Sequence, residues 1–209
     1  MKWMIASDLH GSAYWCEKMI ERYREEKAGK LILLGDILYH GPRNDLPRDY
    51  APKKVIEMLN GMKEELLCIR GNCDCDVDQM VLQFPIMAEY AALWLDERMV
   101  WATHGHVFNM DNHPPLKTGD ILLHGHTHIP AAQPFGEGFY YINPGSVSIP
   151  KNGSKNSYLI LQDSTFTLKS VEDGSTISSY TVEYCGAKAL RGKLTSSQKM
   201  QTASLPWAT

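Results

Sequence analysis

The sequence predicts an α/β fold, a sheet that begins parallel and doubly wound and passes into a strand-rich second half, and three observations predict it. Three short apolar runs in the first 75 residues each end in a polar loop containing glycine. Stripes of apolar residues at helical spacing separate those runs, the pattern of strand, loop and helix repeated. From about Met87 onward the apolar runs follow one another across turn residues with no helical crossover between them.

The first run, Trp3 to Ala6, ends in Ser7-Asp8-Leu9-His10-Gly11. Ser12 has the chemistry of a helix N-cap, and Cys16, Met19, Ile20 and Tyr23 fall at i, i+3, i+4 and i+7, one stripe that fades near Ala28-Gly29. Leu31 to Leu34 is followed by Gly35-Asp36 and a loop with Gly41-Pro42 and Pro47. Val55, Ile56, Met58, Leu59 and Met62 then form a second helical stripe, with Pro52 acceptable in the first turn. Leu66 to Ile69 ends in Arg70-Gly71-Asn72-Cys73-Asp74. In a sheet of this kind the loops at the C-terminal strand ends collect on one edge, where ligands gather.

In the second half, Ala88 to Leu95 and Met99 to Thr103 read as a hairpin across Asp96-Glu97, ending in His104-Gly105-His106. Ile121 to Leu123 opens into His124-Gly125-His126-Thr127-His128-Ile129-Pro130. Ala131 to Phe135 and Phe139 to Ile142 flank Gly136-Glu137-Gly138, and Asn143-Pro144-Gly145-Ser146 reads as a turn with tight backbone geometry. Tyr158 to Leu161, Phe166 to Val171 and Ile177 to Val182 complete the strands. Residues 185–209 are rich in Ser, Thr, Lys and Gln without a period, and are read as a mobile tail on a domain spanning 1–184.

A length of 209 residues suits one domain. The formal charge of −3 lacks the basic footprint of a nucleic-acid binder, so no specific nucleic-acid binding is expected. No apolar stretch has the length of a membrane span, and the N-terminus turns polar too soon for a signal peptide, so the expected location is the cytoplasm with no membrane partner. Cys16, Cys68, Cys73, Cys75 and Cys185 are odd in number and not spaced as a zinc motif, which points to reduced thiols.

Five loops, each after an apolar strand, offer metal-type ligands: Asp8 and His10; Asp36; Asn72; His104; His126 and His128. Taken as extended, the Asp-x-His and His-x-His pairs would project alternate side chains to the same side. Carboxylates, imidazoles and an amide suit Mn, Fe or Zn better than a thiolate-seeking ion. Seven ligands exceed what a single ion uses, so a pair of ions is expected, with Asp36, alone in its loop, as the bridge. In such sites a carboxylate bridges ions about 3.5–4 Å apart and a bound water becomes hydroxide at neutral pH. Taken singly, Asp8 or Asp36 as a cap and His104 as a satisfied buried histidine remain alternatives. His40, Arg43 and Asn44, and the loop from Asn109 to His113, are placed to shape a substrate pocket. Arg43 is the best candidate phosphate contact because its guanidinium binds two oxygens at once, a surface ion pair being the alternative.

The order Asp8-x-His10, Gly35-Asp36, Gly71-Asn72-x-Asp74, His104, Gly125-His126-x-His128 resembles the signature of the calcineurin-like metallophosphoesterases. Gly35 to Asn44, Gly71 to Asp74, Gly125 to Pro130 and Asn143 to Pro150 resemble more narrowly the YfcE-type bacterial phosphodiesterases, a likeness that fades at about residue 184. The resemblance implies a two-sheet β-sandwich flanked by helices, in four αββα layers. It implies one ion held by Asp8, His10, Asp36 and His128 and another by Asp36, Asn72, His104 and His126, with manganese the usual activator and zinc, iron or nickel as alternatives. Asn72 would also touch a phosphate oxygen, so Asn72 and Asp36 are the catalytic candidates and Asn72 and Arg43 the substrate-binding ones. The implied function is a metal-dependent phosphodiesterase acting through a dimetal-bound hydroxide on a small phosphodiester, compatible with a homo-oligomer. A phosphomonoesterase or nucleotide pyrophosphatase, or a non-catalytic protein-binding scaffold of the same fold, remains open. One position departs from the wider pattern: Cys73 stands where a histidine commonly protonates the leaving group, so diesters with good leaving groups are expected to be favoured over monoesters. Cys73 as mere packing, or Cys73 and Cys75 as a soft-metal or redox pair, are the alternatives.

Overall fold

Parallel pairing begins the fold in the computed structural model, which describes residues 2–95 and 97–183. Strand β1 (Lys2–Ala6) pairs in parallel with β2 (Lys30–Leu33), and β2 with β3 (Leu66–Cys68). Helix α1 (Ala13–Glu26) joins the first two strands. Its Ser12 hydroxyl accepts the Trp15 N–H, and Cys16, Met19, Ile20 and Tyr23 are all buried on one stripe. The chain leaves α1 through Lys27 at φ 50°, one residue before the expected fade. Helix α2 (Pro52–Asn60) buries Val55 and Leu59 and carries Pro52 in its first turn, where the missing N–H costs nothing.

The winding differs from the doubly wound expectation. The first sheet has β1, β2 and β3 in simple succession at one side, so both right-handed crossovers step the same way and put both helices on the same face. Met4, Ala6, Leu31, Leu33, Leu66 and Cys68 share a core with α1 and α2, while Ile5, Ile32 and Leu34 point to the opposite face. That second face is covered by a sheet. A third helix, α3 (Asp76–Val81), was not foreseen because none of its six residues is buried and it shows no apolar stripe. The Asp78 carboxylate accepts the Cys75 N–H at 2.9 Å and fixes its start.

The second sheet holds β4 (Tyr90–Leu95), β5 (Arg98–Thr103), β6 (Ile121–Leu123), β7 (Ala131–Phe135) and β8 (Phe139–Asn143), ordered β4-β5-β6-β8-β7. The expected hairpin is present as antiparallel β4 and β5, whereas β5, β6 and β8 run parallel. Val100, Ala102, Ile121, Leu123 and Ile142 meet Ile5, Ile32, Leu34 and Ile69 in a core between the sheets. The remaining strands, β9 (Ser157–Gln162), β10 (Thr165–Ser170) and β11 (Thr176–Thr181), return to the first sheet, with β9 antiparallel against β1. Two mixed sheets with few helices are therefore the architecture. On the second sheet His113, in the long β5–β6 connection, packs edge-on against Phe139 and Phe135. No helix of the described residues is long and apolar enough to cross a membrane. The expected tail at 185–209 lies outside the described residues.

Candidate metal centre

The loops after β1, β2, β3, β5 and β6 converge where the two sheets open at one edge, and their backbone is not extended there. Asp8 (φ 58°), His10 (φ 49°), Asp36 (φ 56°), His126 (φ 64°) and His128 (φ 61°) all lie in the left-handed region. Alternation along an extended segment, the expected means of aiming the pairs, is thus replaced by a sharp turn at each ligand. A non-glycine residue in this region costs roughly 1–2 kcal/mol, and strain of this kind persists where surrounding contacts enforce it. Five of the nine such residues among those described are at this one place, so the strain marks the site.

The enforcing contacts are specific. His10 Nδ1 lies 2.7 Å from Tyr39 O, His104 Nδ1 2.6 Å from Leu34 O and His128 Nδ1 2.6 Å from Ile149 O. A carbonyl only accepts, so each Nδ1 carries the proton, and in the neutral ring each Nε2 presents a lone pair inward. His10 Nε2 stands 3.2 Å from His128 Nε2, and His104 Nε2 stands 3.2 Å from His126 Nδ1 and 3.0 Å from Asn72 Oδ1. Asp36 Oδ2 reaches toward both pairs, 3.7 Å from His10 Nε2 and 3.5 Å from His104 Nε2. Asp8 Oδ1 is fully buried without a hydrogen-bond donor, 3.3 Å from His128 Nε2. The facing lone pairs of His10 and His128, beside the unpartnered Asp8 Oδ1, suit a cation. Ligand atoms of Asp8, His10 and His128, and of Asp8, Asp36 and His104, each lie within 4.8 Å of one another, so the residues present fit divalent ions.

The charges respond accordingly. Burial alone would raise the Asp8 carboxyl, but His128, His104 and His10 outweigh it and hold Asp8 well below the carboxylate range. Burial works against a charged His104, yet Asp36 and Asp8 raise it to about 9. His10 and His126 are lowered, chiefly by burial.

Further contacts hold these loops in place, and much of this bracing was not foreseen. Asp74, quoted in the motif but given no role, accepts the N–H groups of Asp36 at 2.8 Å, Gly71 at 2.7 Å and Ile37 at 2.9 Å. Burial pushes Asp74 up to about 6. Asn143-Pro144-Gly145-Ser146, read only as a turn, braces the first loop as well: the Ser146 and Ser148 hydroxyls donate to Asp8 O at 2.8 and 3.0 Å. Asn143 Nδ2 donates to Gly125 O at 2.9 Å. Two glycines are required by close approach. A Cβ on Gly71 would sit 2.1 Å from Asp36 Oδ1, and one on Gly125 would sit 1.9 Å from Ser7 Oγ.

In front of this cluster lies a cavity of about 380 Å³ lined by Asp36, Asn72, Cys73, His126 and His128, with Gly41 to Asn44, Thr127 and Lys151. Arg43 is exposed and makes no ion pair among the described residues, so the surface ion pair that was its alternative is not found. Lys151 was missed by sequence reasoning; its N–H donates to His128 O at 3.2 Å, a backbone link that no side-chain pattern signals. The Asn109–His113 loop does not line the cavity and instead closes on itself, Asn109 Oδ1 accepting from Asp111 N at 2.9 Å and Asn112 N at 3.1 Å. Cys73 donates its N–H to Asp36 Oδ1 at 2.8 Å, and burial followed by Asp36 pushes its thiol far up. Cys73 and Cys75 form no disulfide. His124, the first histidine of its motif, stacks on Tyr141 at 4.6 Å and leaves Nε2 buried without a partner; burial lowers it to about 4.

A sandwich with this loop order and this donor set defines a phosphoesterase of the calcineurin-like type. The profile of the calcineurin-like phosphoesterase superfamily domain matches residues 1–165, and the chain belongs to that superfamily. Among curated relatives it is 45% identical over 182 residues to the phosphodiesterase YfcE of Escherichia coli K12, covering 87% of this chain and 98% of that one. The solved structure of E. coli YfcE, described as a phosphoesterase, superposes with a TM-score of 0.84 at 44% identity over 88% of this chain and all of the other. Vacuolar Protein Sorting 29 from Cryptosporidium parvum shares the fold alone, with a TM-score of 0.52 at 19% identity over 86% of this chain and 97% of that one.

Proposed function

We propose that this chain is a metal-dependent phosphodiesterase that uses two divalent ions, manganese first, with zinc, iron or nickel as alternatives. Asp8, His10, Asp36 and His128 would hold one ion, and Asp36, Asn72, His104 and His126 the other. The observation that carries this reading is the arrangement of imidazole nitrogens in two facing pairs, His10 with His128 and His104 with His126, with the Asp36 carboxylate within 3.7 Å of a nitrogen in each. The name of E. coli YfcE as a phosphodiesterase supports the reaction class.

When bound, such a pair of ions supplies a water-derived nucleophile at neutral pH and neutralises phosphate charge. The chain's own residues do the rest. Asp36 holds the two ligand groups at a fixed separation, its loop pinned by Asp74. Asn72, exposed at the cavity wall beside His104, orients a phosphate oxygen, and Arg43 binds substrate from the loop that follows Asp36. Cys73 offers the leaving group no imidazolium, which favours diesters that leave without protonation; a general acid is commonly worth about 10²–10⁴-fold. The reading places the enzyme in the cytoplasm as a monomer or homo-oligomer, and puts the activity within residues 1–184, so deletion of 185–209 is expected to leave turnover intact.

The test is turnover of a panel of phosphodiesters and phosphomonoesters by metal-stripped protein with Mn, Zn, Mg or Fe restored. Diester hydrolysis with manganese and weak monoester hydrolysis are expected, and Cys73→His is expected to raise the monoester share. No activity with any metal, while Asp36→Asn leaves metal content unchanged, would identify a scaffold. An unchanged diester preference in Cys73→His would remove the role given to Cys73.

A further inference from the structure

The cavity holds more positive charge than its reacting end requires. Two divalent ions set against Asp8 and Asp36 already suit a diester, which bears a single negative charge. Yet two further cations line the same cavity from different loops: Arg43 from the segment after Asp36, and Lys151 from the segment after β8. Both are exposed, and neither makes an ion pair or side-chain hydrogen bond among the described residues. The carboxylate on that wall is Asp36, already engaged with Cys73 N–H and facing the histidines. Lys151 is also held in place, since its N–H donates to His128 O at 3.2 Å and its own carbonyl accepts the Ser154 N–H at 3.0 Å and the Ser154 hydroxyl at 2.7 Å. In a chain of net charge −3, two unpaired cations line one cavity that also opens onto Asp36, His126 and His128.

We infer that Arg43 and Lys151 form an oxyanion subsite, and that the preferred substrate carries a second anionic group on the arm retained after hydrolysis. This deepens the proposed phosphodiesterase reading and rests on it. The volume of about 380 Å³ sets the size of that arm: it is near the small end of ligand pockets and suits a group of roughly one nucleoside bearing a phosphate, not an oligomer. Arg43 supplies a planar fork for two oxygens of the second group and Lys151 a point charge.

The experiment compares two matched substrates, the 4-nitrophenyl ester of thymidine 5′-phosphate with and without a 3′-phosphate, on manganese-loaded wild type, Arg43→Gln, Arg43→Lys and Lys151→Gln. In parallel, thymidine 3′,5′-bisphosphate and thymidine 5′-phosphate are titrated into the metal-stripped proteins and their affinities compared. The wild type is expected to prefer the 3′-phosphorylated ester by about tenfold or more in kcat/KM, the order of a charge-assisted hydrogen bond, with the difference in KM. That ratio should collapse in Arg43→Gln and Lys151→Gln, recover in part in Arg43→Lys, and shrink at high salt, because these side chains are exposed to screening. The bisphosphate should bind the metal-stripped wild type more tightly than the monophosphate, and lose that advantage in the same variants. Equal kcat/KM for the two esters in the wild type, or equal losses on both in the variants, would overturn the subsite. If the wild type hydrolyses neither ester with any metal, the diesterase reading fails, and the bisphosphate titration still decides whether the oxyanion subsite exists.

Discussion

On the inner side of the site, behind and beside the cavity, His10, His104 and His128 are buried, and each is locked by its Nδ1–H on a backbone carbonyl. On the outer wall Arg43 and Lys151 are exposed and unpaired among the described residues. His10 and His128 sit on left-handed backbone that must be braced from several sides, and His104 is held by Leu34 O; the outer residues ride on ordinary loop. The difference separates what the site does from what it selects. Under the proposed function, ligand geometry is built into strained, buried loops, while recognition by charge falls to exposed side chains unpaired among the described residues.

The largest effect should come from the residue that the two ligand groups share. Asp36→Asn removes the carboxylate facing both histidine pairs, and is expected to lower metal content and reduce diester turnover by about 10³-fold, the scale of losing several kcal/mol of transition-state stabilisation. Metal analysis alongside kinetics checks it; full metal content with full activity would break the inner-wall account.

One step out, Asp74→Asn turns an acceptor of three backbone N–H groups into a group that must present an amide to at least one of them. Metal affinity should weaken by about 10–100-fold, as for other residues that orient ligands, while a competing metal chelator strips the variant at lower concentration. Unaltered affinity would mean that the Asp36 loop holds its left-handed turn without this support.

The smallest effect on the centre should come from His124, which shares a motif with His126 and His128 but faces Tyr141. Its folded value of about 4 lies below the ordinary histidine value of 6.5. The neutral ring therefore favours the folded state fully above pH 6.5, and that contribution is lost as the pH falls from 6.5 toward 4, where the unfolded chain takes up the proton. His124→Phe keeps the ring and removes the titration, so its stability relative to wild type should rise by about 2 kcal/mol between pH 7.5 and pH 5, with metal content unaltered. Denaturant unfolding of the stripped proteins at both pH values measures it, the opposite and shared contribution of His104 cancelling in the difference. Parallel pH profiles would show that His124 takes up its proton as readily when folded.

The convergence of Asp8, His10, Asp36, Asn72, His104, His126 and His128 was largely legible because each follows an apolar strand; their service as metal ligands belongs to the proposal. Their aiming was not legible. The alternation rule presupposes extended backbone, and nothing in Asp-x-His declares a left-handed turn at both ends. Asp74, Ser146 and Ser148 act on backbone groups, which leave no side-chain pattern to read, so they passed as motif filler and turn. Lys151 is brought to the cavity by one backbone hydrogen bond to His128 O. At the level of the fold, the stripes of α1 and α2 were plain in sequence, but strand order is set by which neighbours the finished sheet accepts. The succession β1-β2-β3 steps both crossovers the same way and puts both helices on one face, contrary to the doubly wound expectation, while β9 closes the other side of β1 antiparallel.

The central claim, two ions sharing Asp36, is tested most directly by titrating metal-stripped protein with manganese while bound metal and hydrolysis of bis(4-nitrophenyl) phosphate are followed together. The account predicts two ions bound per chain, activity that rises with the second, and loss of both in Asp36→Asn. A single ion giving full activity, or turnover that persists in excess chelator, would contradict it.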